Sequence, residues 1–217
     1  MNLLNLGTFF EPHGINRDFF VLNWMESSSV APYVPTPLNI VRKMLEIGEA
    51  SSDDILYDLG CGDGRILFSA VEDFNVKKAV GYELNSIMYR SVLKKVEDKG
   101  LRDRIEVING NFFFADLSPA TVITLYLTSS GNAKLKPKFE NELRKGTRIV
   151  SHDFPISGWK PVKPNSPNHF DVSSHRIYLY RVPESYQDNH QSKNTSTEES
   201  NRRRIRNFLK LERKSST

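Results

Sequence analysis

Short apolar runs alternate with amphipathic stretches through the middle of the chain, and each pattern predicts one type of element. The apolar runs predict strands, at Ile55–Leu59, Lys78–Tyr82, Arg104–Ile108, Thr121–Leu127, Thr147–Phe154 and Ser174–Val182. The amphipathic stretches predict helices, which begin after Thr36-Pro37, at Arg65, at Ser86 and at Pro137. This repetition indicates an α/β fold with a mostly parallel sheet covered on both faces. The last strand follows a loop instead of a helix, so we expect it to be an antiparallel edge strand.

The sequence divides into three regions. Residues 1–30 are irregular and rich in aromatic side chains, and we interpret them as an N-terminal arm. Residues 31–183 hold the alternating pattern and form the predicted domain. Residues 184–217 are polar and basic, a composition typical of a disordered tail.

Charge separates the tail from the domain. The 217 residues include 30 Lys and Arg against 26 Asp and Glu, a net charge of +4. Residues 184–217 contain 8 of the basic and 5 of the acidic side chains, which leaves 22 and 21 for the rest. A protein that coats nucleic acid is expected to have a basic face on its folded body, so this balance disfavours that class.

Several absences in the sequence bear on the cellular compartment. The single cysteine, Cys61, excludes an internal disulfide. No run reaches the ~20 apolar residues that a membrane-spanning helix needs. The N-terminus also lacks the basic start of a secretory signal. We therefore expect a cytoplasmic protein without a membrane span.

A strand that runs into three glycines, DLGCGDGR, is the most informative stretch. Glycines at alternate positions allow a tight turn and let a ligand approach the backbone where a helix begins. Their spacing does not match the dinucleotide pattern G-x-G-x-x-G. The aspartate before the turn would repel a diphosphate and attract an ammonium or sulfonium group. The candidate ligand contacts of this turn are Asp58, Gly60, Cys61, Gly62 and Gly64.

The ends of the next two strands carry further candidates. Glu83 ends the second strand, where sheets of this type place the ribose of a bound nucleoside, and a carboxylate accepts hydrogen bonds from ribose hydroxyls. Asn111 follows the third strand and has an amide suited to the amino edge of adenine. Phe112 would then lie against the adenine ring. Together with the glycine turn, these residues predict a site for an adenosine carrying a positive charge.

These residues resemble those of class I S-adenosylmethionine-dependent methyltransferases. The segments PYVPTP, LKPKFENELRKGTRIVSHDF and GWKP are more specific and resemble the archaeal protein-lysine methyltransferases of broad specificity. The enzymes that methylate a lysine of the ATP-synthase c-subunit are similar at a greater distance. The resemblance implies a seven-stranded Rossmann-like sheet, S-adenosylmethionine as cofactor, protein substrates with accessible lysines, and no metal. It also implies that Tyr33 and Thr36 contact the cofactor.

The residues on the substrate side are less well defined by the sequence. An Asn-Pro-Pro-Tyr motif is missing after the fourth strand, which argues against methylation of base amines and glutamine. A neighbouring sulfonium and an apolar channel both lower the pKa of a substrate lysine, so a dedicated base is optional. Alternation along the fifth strand predicts that His152 and Asp153 point to opposite sides and do not act together. The candidate catalytic residues are Tyr126, Asp153 and Trp159, the last as the wall of a lysine channel.

Two other functions stay open at this point. The basic segment within residues 202–214 is the one feature that speaks for an RNA methyltransferase. The sequence identifies the candidate cofactor contacts but does not identify a catalytic base. A non-catalytic module that binds S-adenosylmethionine is therefore the other alternative.

Overall fold

The computed structural model describes residues 31–163 and 167–186, so the predicted arm and nearly all of the predicted tail lie outside the described residues. Its helices are α1 (Leu38–Ile47), α2 (Arg65–Glu72), α3 (Ser86–Asp98) and α4 (Ser129–Glu142), with a 3₁₀ turn at Phe112–Phe114. Its strands are β1 (Ile55–Leu59), β2 (Lys78–Glu83), β3 (Ile105–Asn109), β4 (Val122–Leu125), β5 (Arg148–His152), β6 (Phe170–Val172) and β7 (His175–Arg181). None of these helices is long and apolar enough to cross a bilayer.

The strands form one seven-stranded sheet in the order β3-β2-β1-β4-β5-β7-β6. The first five strands pair in parallel, and β7 pairs antiparallel with both β5 and β6. The predicted Rossmann-like fold class is therefore confirmed. The strand order reverses between β1 and β4, and ligands of such sheets bind beside this switch point, at the carboxyl ends of the strands.

The far end of the sheet differs from the sequence-based prediction. The last strand is antiparallel as expected, but β6 covers it and forms the edge instead. Three residues, Phe170–Val172, are too short for an alternating pattern to be recognised. A tight connection at Ser173, where φ is 56°, joins β6 to β7 and makes the two strands a hairpin.

Helix α4 begins well before the predicted start at Pro137. Thr128 caps it, because its hydroxyl oxygen accepts a hydrogen bond from the N–H of Gly131 at 3.2 Å. The first turn, Ser-Ser-Gly-Asn, has low helix propensity, which is why sequence patterning misses it. Burial compensates, since Gly131, Leu135 and Phe139 lie on one face and pack onto the sheet. Pro137 lies inside the helix.

Two apolar cores cover the two faces of the sheet. Helices α1, α2 and α3 pack on one face through residues such as Met44, Leu67 and Val96. Helix α4 and the segment after β5 pack on the other face, around Phe139 and Tyr180. This core continues to Tyr186, which forms a β-bridge with Trp159, so the packed domain extends three residues past the boundary predicted at 183.

Candidate active site

A cavity of about 350 Å³ opens at the carboxyl ends of β1, β2, β3 and β4. The segment Ala31–Thr36 closes one side of it, and the glycine turn after β1 forms its floor. Nine of the ten predicted cofactor contacts line this cavity: Tyr33, Thr36, Asp58, Gly60, Cys61, Gly62, Glu83, Asn111 and Phe112. The structure thus brings together residues that are up to 79 positions apart in the sequence, from Tyr33 to Phe112.

The glycine turn has the backbone geometry that the sequence requires. Gly60, Gly62 and Gly64 all have positive φ, at 93°, 56° and 80°. A Cβ on Gly62 would lie 2.7 Å from the Tyr33 ring, so glycine lets the 31–36 segment approach the turn. Gly64 is the predicted contact that does not line the cavity. A Cβ there would lie 2.7 Å from a Val92 methyl group, so Gly64 allows α2 to pack against α3.

Asp58 is buried beneath the turn, with 3% of its surface exposed. Its Oδ1 accepts a hydrogen bond from the Thr124 hydroxyl at 2.8 Å. Burial raises the pKa of Asp58 to about 7, and the nearby charges of Glu83 and Asp63 act in the same direction, against the opposing effect of the Thr124 hydrogen bond. A cationic group bound in the cavity would favour the ionised carboxylate. A cationic ligand would therefore stabilise the ionised form of Asp58.

Glu83 fixes the geometry of two segments at once. Its Oε2 accepts a hydrogen bond from the N–H of Gly62 at 2.8 Å, and its Oε1 accepts one from the N–H of Asn85 at 2.7 Å. Asn85 in turn caps α3 by accepting hydrogen bonds from the N–H groups of Ile87 and Met88. Each carboxylate oxygen has a second lone pair, so this arrangement still allows Glu83 to accept hydrogen bonds from ribose hydroxyls.

Asn111 and Phe112 lie where β3 ends. The Asn111 side-chain oxygen accepts a hydrogen bond from the N–H of Phe113 at 3.0 Å and so caps the 3₁₀ turn. Phe112 is 9% exposed, and its ring centroid lies 4.9 Å from that of Phe113. Phe112 and Asn111 thus both line the cavity from one capped turn.

Asp63 and Arg65, which were not among the predicted site residues, hold the wall of the cavity in place. The Arg65 guanidinium donates two hydrogen bonds to Asp63, at 2.9 and 2.6 Å, and one to the carbonyl oxygen of Thr36, at 2.7 Å. The 31–36 segment is therefore tied to the start of α2. The sequence could have indicated this ion pair, because Asp63 and Arg65 have opposite charges and flank the third glycine of the turn.

The prediction that His152 and Asp153 point apart is wrong. Strand β5 ends at His152, and Asp153 has a φ of 57°, in the left-handed region, so the alternation of side chains stops there. The Asp153 carboxylate turns back, and its Oδ2 lies 3.3 Å from Nε2 of His152 and 3.5 Å from the Tyr126 hydroxyl. Tyr126 lines the cavity, whereas Asp153 lies behind it.

His175, which was not among the predicted site residues either, completes this cluster. Its Nδ1 lies 2.9 Å from Nε2 of His152 and 3.1 Å from Oδ2 of Asp153. Because β7 runs antiparallel to β5, the first residues of β7 lie beside the last residues of β5. The sequence already predicted an antiparallel last strand, and this prediction could have indicated that His175 lies close to His152. Among the described residues, these three side chains have donor atoms close enough together, within 4.8 Å, to hold a metal ion.

The charge states within the cluster differ. His152 is fully buried, and burial lowers its pKa to about 4, although the Asp153 charge acts in the opposite direction. For Asp153, burial raises the pKa, but hydrogen bonds from the Arg176 backbone N–H and from His175 outweigh it and leave the pKa below its usual value. At neutral pH the cluster therefore contains a neutral His152 beside an ionised Asp153.

Trp159 lies away from the cavity. Its indole is 5% exposed and packs against Tyr180 and Tyr186, with ring centroids 5.8 and 4.7 Å away. Its Nε1–H donates a hydrogen bond to Glu140 at 2.9 Å. The structure gives Trp159 a place in the core, and this position does not support the predicted role as the wall of a lysine channel.

The switch-point cavity, with its glycine turn and buried carboxylate, defines the chain as a class I S-adenosylmethionine-dependent methyltransferase. Residues 58–163 match the family model described as the ANTKMT methyltransferase domain. A protein-lysine N-methyltransferase of Saccharolobus islandicus is 51% identical over 156 residues, which cover 70% of this chain and 94% of that protein. The chain therefore belongs to the protein-lysine N-methyltransferase family represented by this archaeal protein.

Two further proteins resemble the chain. The lysine N-methyltransferase of Xenopus laevis that is named for the ATP-synthase c-subunit is 26% identical over 130 residues, which cover 60% of this chain and 56% of that protein. A crystal structure described as an RNA methyltransferase from Salinibacter ruber, in complex with S-adenosyl-L-homocysteine, superposes with a TM-score of 0.66 at 37% identity. The superposition covers 72% of this chain and 98% of that one. The predicted family, enzyme class and cofactor are confirmed.

Proposed function

We propose that the protein transfers a methyl group from S-adenosylmethionine to the side-chain amine of lysine in protein substrates. The 51% identical relative carries this activity in its name. The cavity itself supports a cationic donor, because its lining contains three carboxylates, Asp58, Asp63 and Glu83, against one cation, Arg65. A lysine that approaches such a cavity meets a favourable potential, whereas a phosphate backbone does not.

The surface around the cavity supports the proposal that the substrates are proteins. The large apolar side chains that are exposed within the described residues belong to segments that line or adjoin the cavity: Tyr33, Val34, Leu38, Leu84, Ile87, Phe114 and Phe154. Tyr33, Val34 and Leu84 line the cavity, and the others lie within two residues of lining residues or, for Phe154, beside Tyr126. We call this set the docking rim, since exposed apolar side chains grouped around a cavity are typical of a protein-docking surface.

Each part of the donor has a proposed partner in the cavity. The ionised Asp58 and the N–H groups of the glycine turn hold the methionine end with its positive charges. Glu83 accepts hydrogen bonds from the ribose hydroxyls. Asn111 and Phe112 contact the adenine. Tyr33 and Thr36 cover the donor from the 31–36 segment.

The reaction needs little covalent help from the protein. Methyl transfer from a sulfonium is an in-line displacement, in which the protein mainly aligns donor and acceptor and excludes water. A lysine with a pKa of ~10.4 costs about 4.6 kcal/mol to deprotonate at pH 7. Tyr126, at the cavity wall, and Asp153 behind it are the proposed residues that receive this proton.

Labelling with a tritiated methyl donor tests the proposed function. Incubation of the protein with bulk cell protein and bulk RNA in separate reactions is expected to label the protein pool, with mass spectrometry placing the methyl groups on lysine. The Gly62→Val variant is the matched control, because its side chain collides with the Tyr33 ring and blocks the cavity. Label confined to RNA, or label in protein on residues other than lysine, would contradict the proposal.

Ile87 provides a separate test of the docking rim. Its side chain is 71% exposed at the start of α3, so Ile87→Asp is expected to leave folding and donor affinity unchanged. Loss of an apolar anchor should raise KM for protein substrates about tenfold. Ser52→Asp adds the same charge in an exposed loop before β1, at the opposite end of the strands, and should leave KM unchanged. Equal KM values for the two variants would remove the rim from substrate binding.

RNA methylation is the second candidate, favoured by the description of the Salinibacter ruber structure. The basic residues 202–214, which would bind RNA, lie outside the described residues. Removal of residues 187–217 separates the two functions, since it should leave lysine methylation intact and abolish any binding of RNA. The cytoplasmic location expected from the sequence stays a prediction.

A further inference from the structure

Three side chains behind the cavity wall each bring one donor atom to the same place, and we call them the histidine cluster. Nε2 of His152 lies 2.9 Å from Nδ1 of His175, and Oδ2 of Asp153 lies 3.1 Å from that Nδ1 and 3.3 Å from that Nε2. His152 and Asp153 come from the end of β5 and His175 from the start of β7, so the antiparallel pairing of these strands assembles the cluster.

Hydrogen bonds cannot satisfy all three contacts of the cluster at once. Each of the three atoms either carries a hydrogen and donates, or offers a lone pair and accepts. In a triangle of such atoms at least two are of the same kind, so one contact always joins two donors or two acceptors. With a hydrogen on Nδ1 of His175, for example, Oδ2 of Asp153 and Nε2 of His152 are two acceptors 3.3 Å apart. One contact therefore stays unfavourable in every tautomer.

We propose that the histidine cluster binds one divalent transition-metal ion, for which Zn²⁺ is the probe. An ion takes a lone pair from each of the three atoms and so removes the contact between like groups. Zinc lies about 2.0–2.2 Å from histidine nitrogens and carboxylate oxygens, which sets tetrahedral ligand atoms about 3.4 Å apart. The separations of 2.9, 3.1 and 3.3 Å need to widen by only a few tenths of an ångström to reach this geometry.

Neighbouring groups hold two of the three ligands in orientation. Nδ1 of His152 lies 3.2 Å from the Thr36 hydroxyl, and a hydrogen on this nitrogen that donates to Thr36 leaves the lone pair of Nε2 for the ion. Oδ1 of Asp153 accepts a hydrogen bond from the N–H of Arg176 at 2.8 Å, which leaves Oδ2 facing the two histidines. Outer contacts of this kind are typical of metal sites, where they fix the tautomer and the direction of each ligand.

Asp153 reaches the cluster through an uncommon backbone conformation. Its φ of 57° lies in the left-handed region, and conformations of this type persist at functional sites where surrounding contacts fix them. Its N–H donates to the Arg176 carbonyl oxygen at 2.7 Å, so both its backbone and its Oδ1 are tied to β7. The positive φ turns the carboxylate back towards His152, and this provides the third ligand.

The cluster is accessible from solvent. The His152 side chain is buried, whereas those of Asp153 and His175 are 27% and 24% exposed, so an ion can enter from the surface and bind water as a further ligand. A carboxylate oxygen has two lone pairs, so Oδ2 can bind the ion and still face the Tyr126 hydroxyl. The family resemblance implies no metal, and the proposal goes beyond it. It does not depend on which substrate is methylated.

Zinc titration of the full-length protein, after removal of metal with a chelator, tests the proposal. Calorimetry should show one Zn²⁺ bound with a Kd of about 10 µM or tighter, and an excess of Mg²⁺ should not displace it, because Mg²⁺ prefers oxygen ligands. His175→Asn should weaken the binding at least 100-fold. Asp153→Asn should weaken it at least tenfold while preserving the backbone, since asparagine tolerates positive φ. His169→Asn is the control, because it removes a histidine that pairs with Asp171 outside the cluster, and it should leave the affinity unchanged.

Two further measurements distinguish a metal site from loose surface binding. Co²⁺ should give visible d–d absorption with the wild type and lose it with His175→Asn. Zinc at 100 times its Kd should raise the midpoint of thermal unfolding by about 5–10 °C in the wild type and in His169→Asn, but not in His175→Asn. A wild type that binds no Zn²⁺, or that binds it no more tightly than His175→Asn does, would overturn the proposal. None of these measurements reads methyl transfer, so a failure of the proposed function would be seen separately.

Discussion

Asp58→Asn is expected to weaken binding of S-adenosylmethionine about 100-fold and to stabilise the ligand-free protein at pH 8. The loss of affinity follows from removing the one buried carboxylate beneath the turn, where a charge-assisted contact is worth about 3 kcal/mol. Asparagine retains an oxygen that accepts the Thr124 hydrogen bond, so the local structure is preserved. The variant therefore separates the charge from the shape of the side chain.

The gain in stability follows from the sign of the pKa shift. Burial raises the pKa of Asp58 from 3.8 to about 7, so the folded protein binds this proton more tightly than the unfolded chain does. Unfolding between about pH 4 and pH 7 releases the proton, and the free energy of unfolding falls as pH rises through that window. The loss is complete above pH 7 and amounts to about 4 kcal/mol. Asp58→Asn removes this loss at pH 8 and changes little at pH 4.

Thermal unfolding at pH 4 and pH 8, together with calorimetric titration of the donor, measures both effects. Asp53→Asn is the matched control, because Asp53 is exposed and lies outside the cavity. Donor affinity of the wild type should also rise from pH 6 to pH 8 as Asp58 ionises. A variant with unchanged donor affinity, or with lower stability than the wild type at pH 8, would show that Asp58 does not hold a cation.

The grouping of the predicted residues around one cavity could be predicted because their positions depend on local sequence. A glycine turn between an apolar strand and a helix fixes its own backbone, and Asp58 and Glu83 occupy defined positions at strand ends. Parallel strands bring such positions to one edge whatever the details of packing. The same reasoning assigned Gly64 to the ligand, although its backbone is needed where two helices pack.

The positions of Trp159 and of the cluster of His152, Asp153 and His175 depend on contacts between residues far apart in the sequence. The contact between His152 and His175 depends on the antiparallel register of β5 and β7. The direction of the Asp153 side chain depends on the positive φ of that residue, which hydrophobic periodicity does not predict. Trp159 was assigned to a channel because tryptophan suits a cation, but its burial is set by packing against Tyr180 and Tyr186. Tertiary packing, not local pattern, decides these positions.

Glu83→Ala is expected to weaken donor binding about 100-fold, the second large effect at this site. Two causes contribute: the ribose hydroxyls lose a charged acceptor, and the N–H groups of Gly62 and Asn85 lose the carboxylate that fixes them. Glu106→Ala is the matched control, since Glu106 is exposed on β3, pairs with Lys78 and lies outside the cavity. The control should leave donor affinity unchanged.

A thermodynamic cycle separates the two causes. Calorimetry would compare S-adenosylhomocysteine with an analogue that lacks both ribose hydroxyls, on the wild type and on Glu83→Ala. If Glu83 binds the ribose, removing the hydroxyls weakens binding to the wild type at least tenfold and weakens binding to the variant by less than twofold, because the partner is already absent. Equal losses on both proteins would limit Glu83 to holding the turn, and a variant affinity within twofold of the wild type would remove it from donor binding altogether. The cycle thus assigns the carboxylate to the ligand, to the loop or to both from one set of titrations.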